Sequence, residues 1–176
     1  MAEYDISFAV KLASIAAEVE EQDPMAYDAR RTAVYLGRLS VEISLKALLE
    51  KAGVSFSSIR PRSHDLRGLL SDLGECEVQV EIATGEMQWC LASCVRSAVI
   101  DFGVGHVPIG ELIEADDPTI SKYPNEIRYG ATVIDYNPIL VSQMAVVLAN
   151  WAQSHWNTIR VATTTPNPSI NTDAAR

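Results

Sequence analysis

The sequence has no long apolar run, a shortage of positive charge and few cysteines, and each of these excludes a class of protein. No apolar stretch approaches the roughly 20 residues that span a bilayer, and the acidic start MAEYDISF is unlike the basic start of a signal peptide. Lys and Arg number 14 against 23 Asp and Glu, and the net charge of -9 argues against extended contact with nucleic acid. Three cysteines are an odd number without a secretory signal, which favours free thiols. A cytoplasmic location is the resulting expectation.

What the sequence does contain is enough apolar material for one domain. Hydrophobic residues make up 48% of the 176 residues and charged residues 21%, which is typical of a globular chain with a single core. The stretch Thr163 to Arg176 is rich in Thr, Pro and Asn and predicts a disordered tail. The domain is therefore expected to span residues 1–162.

The stretch from Ala33 to Gly53, AVYLGRLSVEISLKALLEKAG, predicts a long central helix that begins near Pro24 or Met25 and ends at Gly53. Two apolar stripes lie on opposite sides of it: Val34, Gly37, Val41, Leu45 and Leu48 on one, and Leu36, Leu39, Ile43 and Ala47 on the other. A helix that is apolar on two sides is expected at the centre of a fold. The strip between the stripes is polar and expected to be half exposed; it carries Tyr35, Arg38, Glu42 and Lys46.

Helical spacing of apolar residues predicts the other helices. They cover Ser7 to Glu21, a short segment from a Ser63 cap to Gly74, Glu86 to Asp101, and Asn137 to Ile159. Glu75 to Ile82 alternates like a strand, but the pattern offers it no partner, so we interpret it as an extended link or a continuing helix. Gly103 to Asn137 holds much of the glycine and proline and is interpreted as a long loop. The prediction is an all-α, up-and-down helical bundle of four main helices plus one short helix, with a long loop before the last helix.

Three sequence blocks resemble motifs of one family. VEISLKALLEKAG in the central helix is similar to an E-x-x-LKALL signature, and Ser63-His64-Asp65-Leu66 is similar to the HDL motif that follows it. Tyr123-Pro124-Asn125-Glu126-Ile127-Arg128-Tyr129 is similar to a Tyr-Pro and Arg-Tyr element before the last helix. The blocks cover about a quarter of the chain, and their order and spacing resemble HEPN-domain proteins (higher eukaryotes and prokaryotes nucleotide-binding).

The resemblance implies a helical bundle that is often a homodimer. Family members include toxin ribonucleases, partners of minimal nucleotidyltransferases and phage-defence proteins. The ribonucleases carry an Arg, four to six residues and then a His in a late helix. This sequence departs from that pattern, because His64 follows Arg60 too closely, His106 follows Arg96 too distantly, and no Arg stands at the right distance before His155. The resemblance therefore does not carry the ribonuclease activity over.

The candidate ligand site combines residues from the three blocks. Lys46, His64 and Arg128 would offer donors to a phosphate or nucleotide, with Glu42, Asp65 and Tyr129 beside them. The alternative is structural: Glu42, Asp65 and Arg128 would form a polar cluster that fixes the long loop to the bundle, with His64 as a helix cap.

Other clusters of reactive residues favour ordinary structural roles. Cys76, Cys90, Cys94 and His106 could supply four zinc ligands, but their spacing matches no compact zinc motif, and Cys90 and Cys94 are expected in the core. The acidic run Glu111, Glu114, Asp116 and Asp117 is expected to be a solvated face, and the basic run Arg60, Arg62 and Arg67 ordinary surface. No metal, cofactor or catalytic residue is predicted.

We expect a binding or regulatory module for a nucleotide or another phosphate-bearing ligand, or a partner subunit of a nucleotidyltransferase in a toxin–antitoxin or defence system. The alternative is a divergent toxin-like ribonuclease that uses His64 with Arg60, Arg62 or Arg128. The last helix carries Trp151 and Trp156 and is apolar around most of its circumference, which predicts a second packing surface and a homodimer.

Overall fold

The computed structural model describes residues 3–101, 105–115, 123–129 and 136–162. The helices are α1 (Ile6–Gln22), α2 (Tyr27–Ala52), α3 (Phe56–Ile59), α4 (Leu66–Gly74), α5 (Ile109–Glu114), α6 (Asn125–Arg128) and α7 (Pro138–His155). The strands are β1 (Cys76–Glu81), β2 (Met87–Leu91), β3 (Val99–Asp101), β4 (His106–Pro108) and β5 (Ile159–Val161). Arg60–Arg62 and Ala92–Ser97 form 3-10 helices. Among the described residues, no helix has the length and apolar character needed to cross a membrane.

The helix α2 is the centre of the fold, as its two apolar stripes predict. It packs against α1 on one side and α7 on another, and the Ser40 hydroxyl donates to the Ala9 carbonyl of α1 at 2.7 Å. Gly37 permits close approach of α7, since a Cβ there would lie 3.0 Å from a Val141 methyl. The helix ends at Gly53, whose φ of 102° is in the left-handed region that glycine adopts without strain.

The prediction of an all-α bundle is wrong, because two small antiparallel sheets accompany the helices. The first has the strand order β2-β1-β5, and the second pairs β3 with β4. Glu75 to Ile82 contains the strand β1, whose residues Cys76 and Val78 face the core. Its alternation was the correct signal, and the partners that the pattern did not offer are β2 and β5.

The predicted helix from Glu86 to Asp101 is also wrong. That segment forms β2, a 3-10 helix and β3 in succession. The apolar residues near Trp89 fit a helical period by chance, whereas their register in the hairpin alternates between the two sheet faces. The turn between β1 and β2 contains Gly85 with a φ of 81°, which closes the hairpin.

The segment from Gly103 to Asn137 is more structured than a long loop. It contains β4, α5 and α6, and Ile109 and Ile113 belong to the main core. Tyr123 and Ile127 pack on Val34 of α2 in a second, smaller cluster. The other parts of the predicted loop, 103–104, 116–122 and 130–135, and the predicted tail 163–176 lie outside the described residues.

Two predicted helix ends are shifted. The N-cap of α4 is Asp65, whose carboxylate accepts from the Gly68 amide at 2.9 Å, rather than Ser63. Asn137 caps α7 as predicted, accepting from the Ile139 and Leu140 amides. This helix ends at His155, and the chain then turns into β5 instead of continuing to Ile159 as a helix.

Candidate functional site

Three charged side chains of α2 are buried. Arg38, Glu42 and Lys46 are only 3%, 5% and 6% exposed, and their i, i+4, i+8 spacing places them in one row along the helix. The sequence predicts this strip to be half exposed. It is buried because tyrosines from other parts of the chain cover it, and a buried charge requires partners of this kind.

Glu42 lies at the centre of the row and contacts Lys46, His64 and Tyr123; we call these four residues the hub. Its Oε1 accepts from Lys46 Nζ at 2.7 Å, and its Oε2 accepts from the Tyr123 hydroxyl at 2.7 Å. The same Oε2 lies 2.9 Å from Nδ1 of His64. One carboxylate therefore joins α2 to the turn before α4 and to the turn before α6.

The protonation states of the hub follow from these contacts. Burial of the Glu42 carboxylate would by itself raise its pKa, but the hydrogen bonds from Lys46, His64 and Tyr123 outweigh burial and hold the pKa below its ordinary value. Burial raises the pKa of the Tyr123 hydroxyl, and the neighbouring Glu42 charge raises it further. At neutral pH, Glu42 is an anion and Tyr123 is a neutral donor.

Aromatic rings contact the two cations of the row. The Arg38 guanidinium lies 4.9 Å from the centroid of the Tyr123 ring and 5.1 Å from that of Tyr136, and Lys46 Nζ lies 5.5 Å from the Tyr4 centroid. Tyr4 is held in place because its backbone amide donates to Glu50 of α2 at 3.1 Å. Because these rings contact the two cations and water is excluded from them, the charged row of α2 lies inside the fold.

From the hub a row of rings leads to the surface. The His64 and Tyr123 rings meet edge to face at 5.7 Å between centroids, and Tyr123 meets Tyr35 at 6.2 Å. Arg128 Nη2 donates to the Tyr35 hydroxyl at 3.1 Å, with the guanidinium 5.8 Å from the ring. We call His64, Tyr123, Tyr35 and Arg128 the tyrosine strip. Its two ends are exposed: 45% of the His64 side chain is accessible, and Arg128 is on the surface.

The structure distributes the predicted site residues over three places. Glu42, Lys46 and His64 meet at the hub, and Arg128 lies at the far end of the tyrosine strip. Tyr129 follows Arg128 and is 80% exposed. Asp65 contributes to the cap of α4 instead of the hub.

Three residues of the site were not predicted to belong to it from the sequence. Tyr123 stood in the block that resembles the Tyr-Pro element, and Tyr35 and Arg38 stood on the polar strip of α2. The signal for Tyr35 and Arg38 was their i, i+3, i+7 relation to Glu42, which places all of them on one side of the helix. For Tyr123 the sequence carried no distance information, because 81 residues separate it from Glu42.

The hub fixes which nitrogen of His64 faces a ligand. An ionised carboxylate only accepts hydrogen bonds, so Nδ1 carries the proton that points to Glu42. Nε2 is then the ring nitrogen left for a ligand. A carboxylate that orients an imidazole in this way prepares it to hold an anion when protonated, or to accept a proton when neutral.

The basic run and the acidic run of the sequence have structural roles in the described part of the chain. Arg62 is committed to Asp72 by two hydrogen bonds of 2.7 and 2.6 Å, and Glu114 pairs with Arg96. Glu111 is exposed, as predicted, and Asp116 and Asp117 lie outside the described residues.

The cysteines differ from their prediction. Cys76 is buried, and burial raises the pKa of its thiol to about 11. Cys90 is half buried and Cys94 is exposed, so the prediction that both lie in the core is wrong. Among the described residues, no group of three or more His, Cys, Asp and Glu side chains is placed to hold a metal ion.

A cavity of about 250 Å³ is lined by Arg38 of α2 and by Leu140 and Met144 of α7. Typical small-molecule sites measure roughly 300–1,000 Å³. This cavity is smaller and mostly apolar, so it does not suit a polar ligand.

Comparison with known proteins adds no further constraint on this site. No family model matches the chain, and neither a curated protein nor a solved structure matches it.

Proposed function

We propose that this chain is a HEPN-like binding or regulatory module that holds a phosphate-bearing ligand, a nucleotide in the simplest case, on the tyrosine strip. We place it in the cytoplasm. Its role is recognition: the strip offers donors and ring faces.

The two ends of the strip supply the groups that a phosphate needs. Arg128 presents a guanidinium, whose planar array of N–H donors suits phosphate oxygens. His64 presents Nε2, which donates to an anion when the ring is protonated. The exposed Tyr129 ring beside Arg128 offers a face on which a nucleobase would stack.

The observation that carries the proposal is the buried Glu42 carboxylate. It holds His64 at 2.9 Å and Tyr123 at 2.7 Å, and Tyr123 in turn supports Tyr35 and so Arg128. These contacts orient His64 and Arg128 before a ligand arrives, which lowers the entropy lost on binding.

A thermal-shift assay tests the proposal with inorganic phosphate, pyrophosphate and a panel of nucleotides. A ligand at 100 times its dissociation constant should stabilise the protein by about 2.7 kcal/mol. We expect Arg128→Gln to reduce this shift at least several-fold. Arg160→Gln is the matched control, because Arg160 also stacks on a ring and pairs with a neighbour, but on the sheet. Absence of a shift with every compound, or equal shifts in both variants, would contradict the proposal.

A second candidate function is cleavage of RNA, and the Glu42–His64 pair is the observation that favours it. A carboxylate that orients an imidazole is an arrangement used for general base catalysis. Because Arg62 is committed to Asp72, such an enzyme would use His64 with Arg60 or Arg128.

Incubation of the purified protein with RNA separates the two functions. The ribonuclease hypothesis expects cleavage that His64→Ala abolishes and His106→Ala retains. His106 is a fair control because its side chain is also exposed and lies 3.7 Å from a carboxylate, that of Asp101. Intact RNA with the wild-type protein would reject the ribonuclease and leave the binding function.

A further inference from the structure

We propose that the free edge of strand β2 pairs with the same strand of a second copy of this chain, which makes a symmetric dimer through a continuous sheet. In the described part of the chain, β2 pairs with β1 on one edge only. Met87 and Leu91 are 54% and 53% exposed, so neither the edge nor the outer face of this strand is covered there.

The hydrogen-bond phase of the hairpin shows which groups face the free edge. The Ile82 amide donates to the Glu86 carbonyl at 2.9 Å, which makes Ile82 and Glu86 a hydrogen-bonded pair. By alternation, Gln88 and Cys90 are also bonded to β1. Gln79, which lies opposite Trp89, confirms this alternation, because its amide points away from β2 and donates to the Thr158 carbonyl on the β5 side at 3.0 Å. The backbone groups of Met87, Trp89 and Leu91 therefore point to the free edge.

A symmetric antiparallel pairing of β2 with its copy can be centred on Trp89. Met87 then lies opposite Leu91 of the second copy, and Trp89 lies opposite Trp89. The backbone groups of these residues face the free edge, so residues that can exchange hydrogen bonds lie opposite each other in this pairing. Gln88 lies opposite Cys90 of the second copy, as a pair without hydrogen bonds. If the register between the two strands shifted by one residue, residues that face the free edge would lie opposite residues that are bonded to β1.

The local charge at this edge permits a second copy to bind there, although the whole chain has a net charge of -9. The strand MQWCL contains no charged residue, proline or glycine, the residues with which natural proteins block edge pairing. The Arg160 guanidinium lies 3.7 Å from the centroid of the Trp89 ring and donates to Glu77 at 2.9 Å. Each copy thus brings an internally neutralised pair to the interface, and no charged residues stand opposite each other across the two strands.

The interface is short, so we expect a dimer that depends on concentration instead of an obligate one. This surface differs from the last helix, which the sequence indicated as the packing surface of a homodimer. The proposal is independent of the tyrosine strip, because none of the strip residues belongs to the sheet.

Sedimentation velocity over a wide range of protein concentration tests the dimer. We expect the dimer fraction of the wild type to rise with concentration and Trp89→Lys to stay monomeric, since two cations would then face each other at the symmetry axis. Gln79→Lys is the control, because it adds the same charge opposite Trp89 on the central strand β1, away from the edge. A monomeric wild type at all concentrations, or a dimer that Trp89→Lys leaves unchanged, would overturn the proposal.

A cross-link tests the register even if Trp89→Lys does not fold. In a pair without hydrogen bonds the Cα atoms are about 4.5 Å apart, a distance that a disulfide spans. Under oxidised glutathione, the two thiols lose their protons and two electrons, glutathione is reduced, and the new bond forms. We expect Gln88→Cys to give a covalent dimer joined to Cys90 of the second copy, identified by peptide mass. No covalent dimer, or the same yield from Gln79→Cys, would refute the register.

Discussion

The Glu42 carboxylate binds side chains from three parts of the chain, and its ionisation links them to pH. The pKa of Glu42 in the folded protein lies below its ordinary value, which is about 4.3 in an unfolded chain. Its contribution to stability is therefore fully present above that pH and is lost as the pH falls through the folded-state pKa.

Replacement of Glu42 tests this linkage. Glu42→Gln leaves Lys46 buried without its counter-ion and should lower the free energy of unfolding at pH 7 by about 3–5 kcal/mol. The difference from the wild type should shrink as the pH is lowered below about 4, because the wild type then loses the same charge. Urea unfolding at several pH values measures both effects, and the exposed Glu111→Gln is the control. A gap that does not change with pH would contradict the assignment of Glu42 as the buried anion.

The Tyr123 hydroxyl is expected to contribute as a donor to a charged acceptor. Tyr123→Phe should lower the free energy of unfolding by about 1.5–3 kcal/mol, since the ring contacts remain and the 2.7 Å bond to Glu42 is lost. Tyr129→Phe, at a ring that is 80% exposed, should change it by less than about 0.5 kcal/mol. Equal values for the two variants in urea unfolding would count against the hub.

At the scale of elements, helices were predictable where local signals and tertiary packing agree. The helices α1, α2 and α7 each combine apolar periodicity with a local end signal, such as Gly53 or Asn137. The pairing of β1 with β5 was not predictable, because more than 75 residues separate the two strands and they meet only in the folded chain. Met87 to Leu91 fits either a helix or a strand when its partner is unknown.

The cap of α4 offers a direct test of one difference between sequence and structure. Asp65→Ala removes the acceptor for the Gly68 amide and should lower the free energy of unfolding by about 1 kcal/mol. Ser63→Ala should have little effect, because Ser63 is outside the cap. Thermal unfolding of both variants measures the contrast, and a larger loss for Ser63→Ala would restore the cap that the sequence indicated.

The crossing of α2 and α7 depends on the missing side chain at Gly37. Alanine favours a helix over glycine by about 1 kcal/mol, but a Cβ at this position would lie 3.0 Å from Val141 Cγ1 and 3.1 Å from its backbone oxygen. We expect Gly37→Ala to lower the free energy of unfolding by about 1–3 kcal/mol in spite of its helix propensity. Gly105→Ala, where nothing lies within 4 Å, is the control. An increase in stability in Gly37→Ala would show that the two helices are not in close contact.

At the scale of the whole molecule, the fold is a mainly helical domain in which α2 organises both the core and the tyrosine strip. The sequence predicted the central helix and indicated three of the four residues that meet at the hub, because Glu42 and Lys46 are neighbours on one helix and His64 stands in a recognisable block. It did not predict that the row of charges is buried. Burial depends on Tyr4, Tyr123 and Tyr136, which come from segments far from α2 in sequence.

We propose above that His64 and Arg128, at the two ends of the tyrosine strip, hold one phosphate-bearing ligand. Nitrogen-15 NMR of the His64 imidazole and the Arg128 guanidinium during titration with adenosine monophosphate tests it most directly. We predict that both signals shift along one saturable curve and that Arg160 does not respond. Signals of His64 and Arg128 that stay unchanged, or that follow different curves, would contradict this proposal.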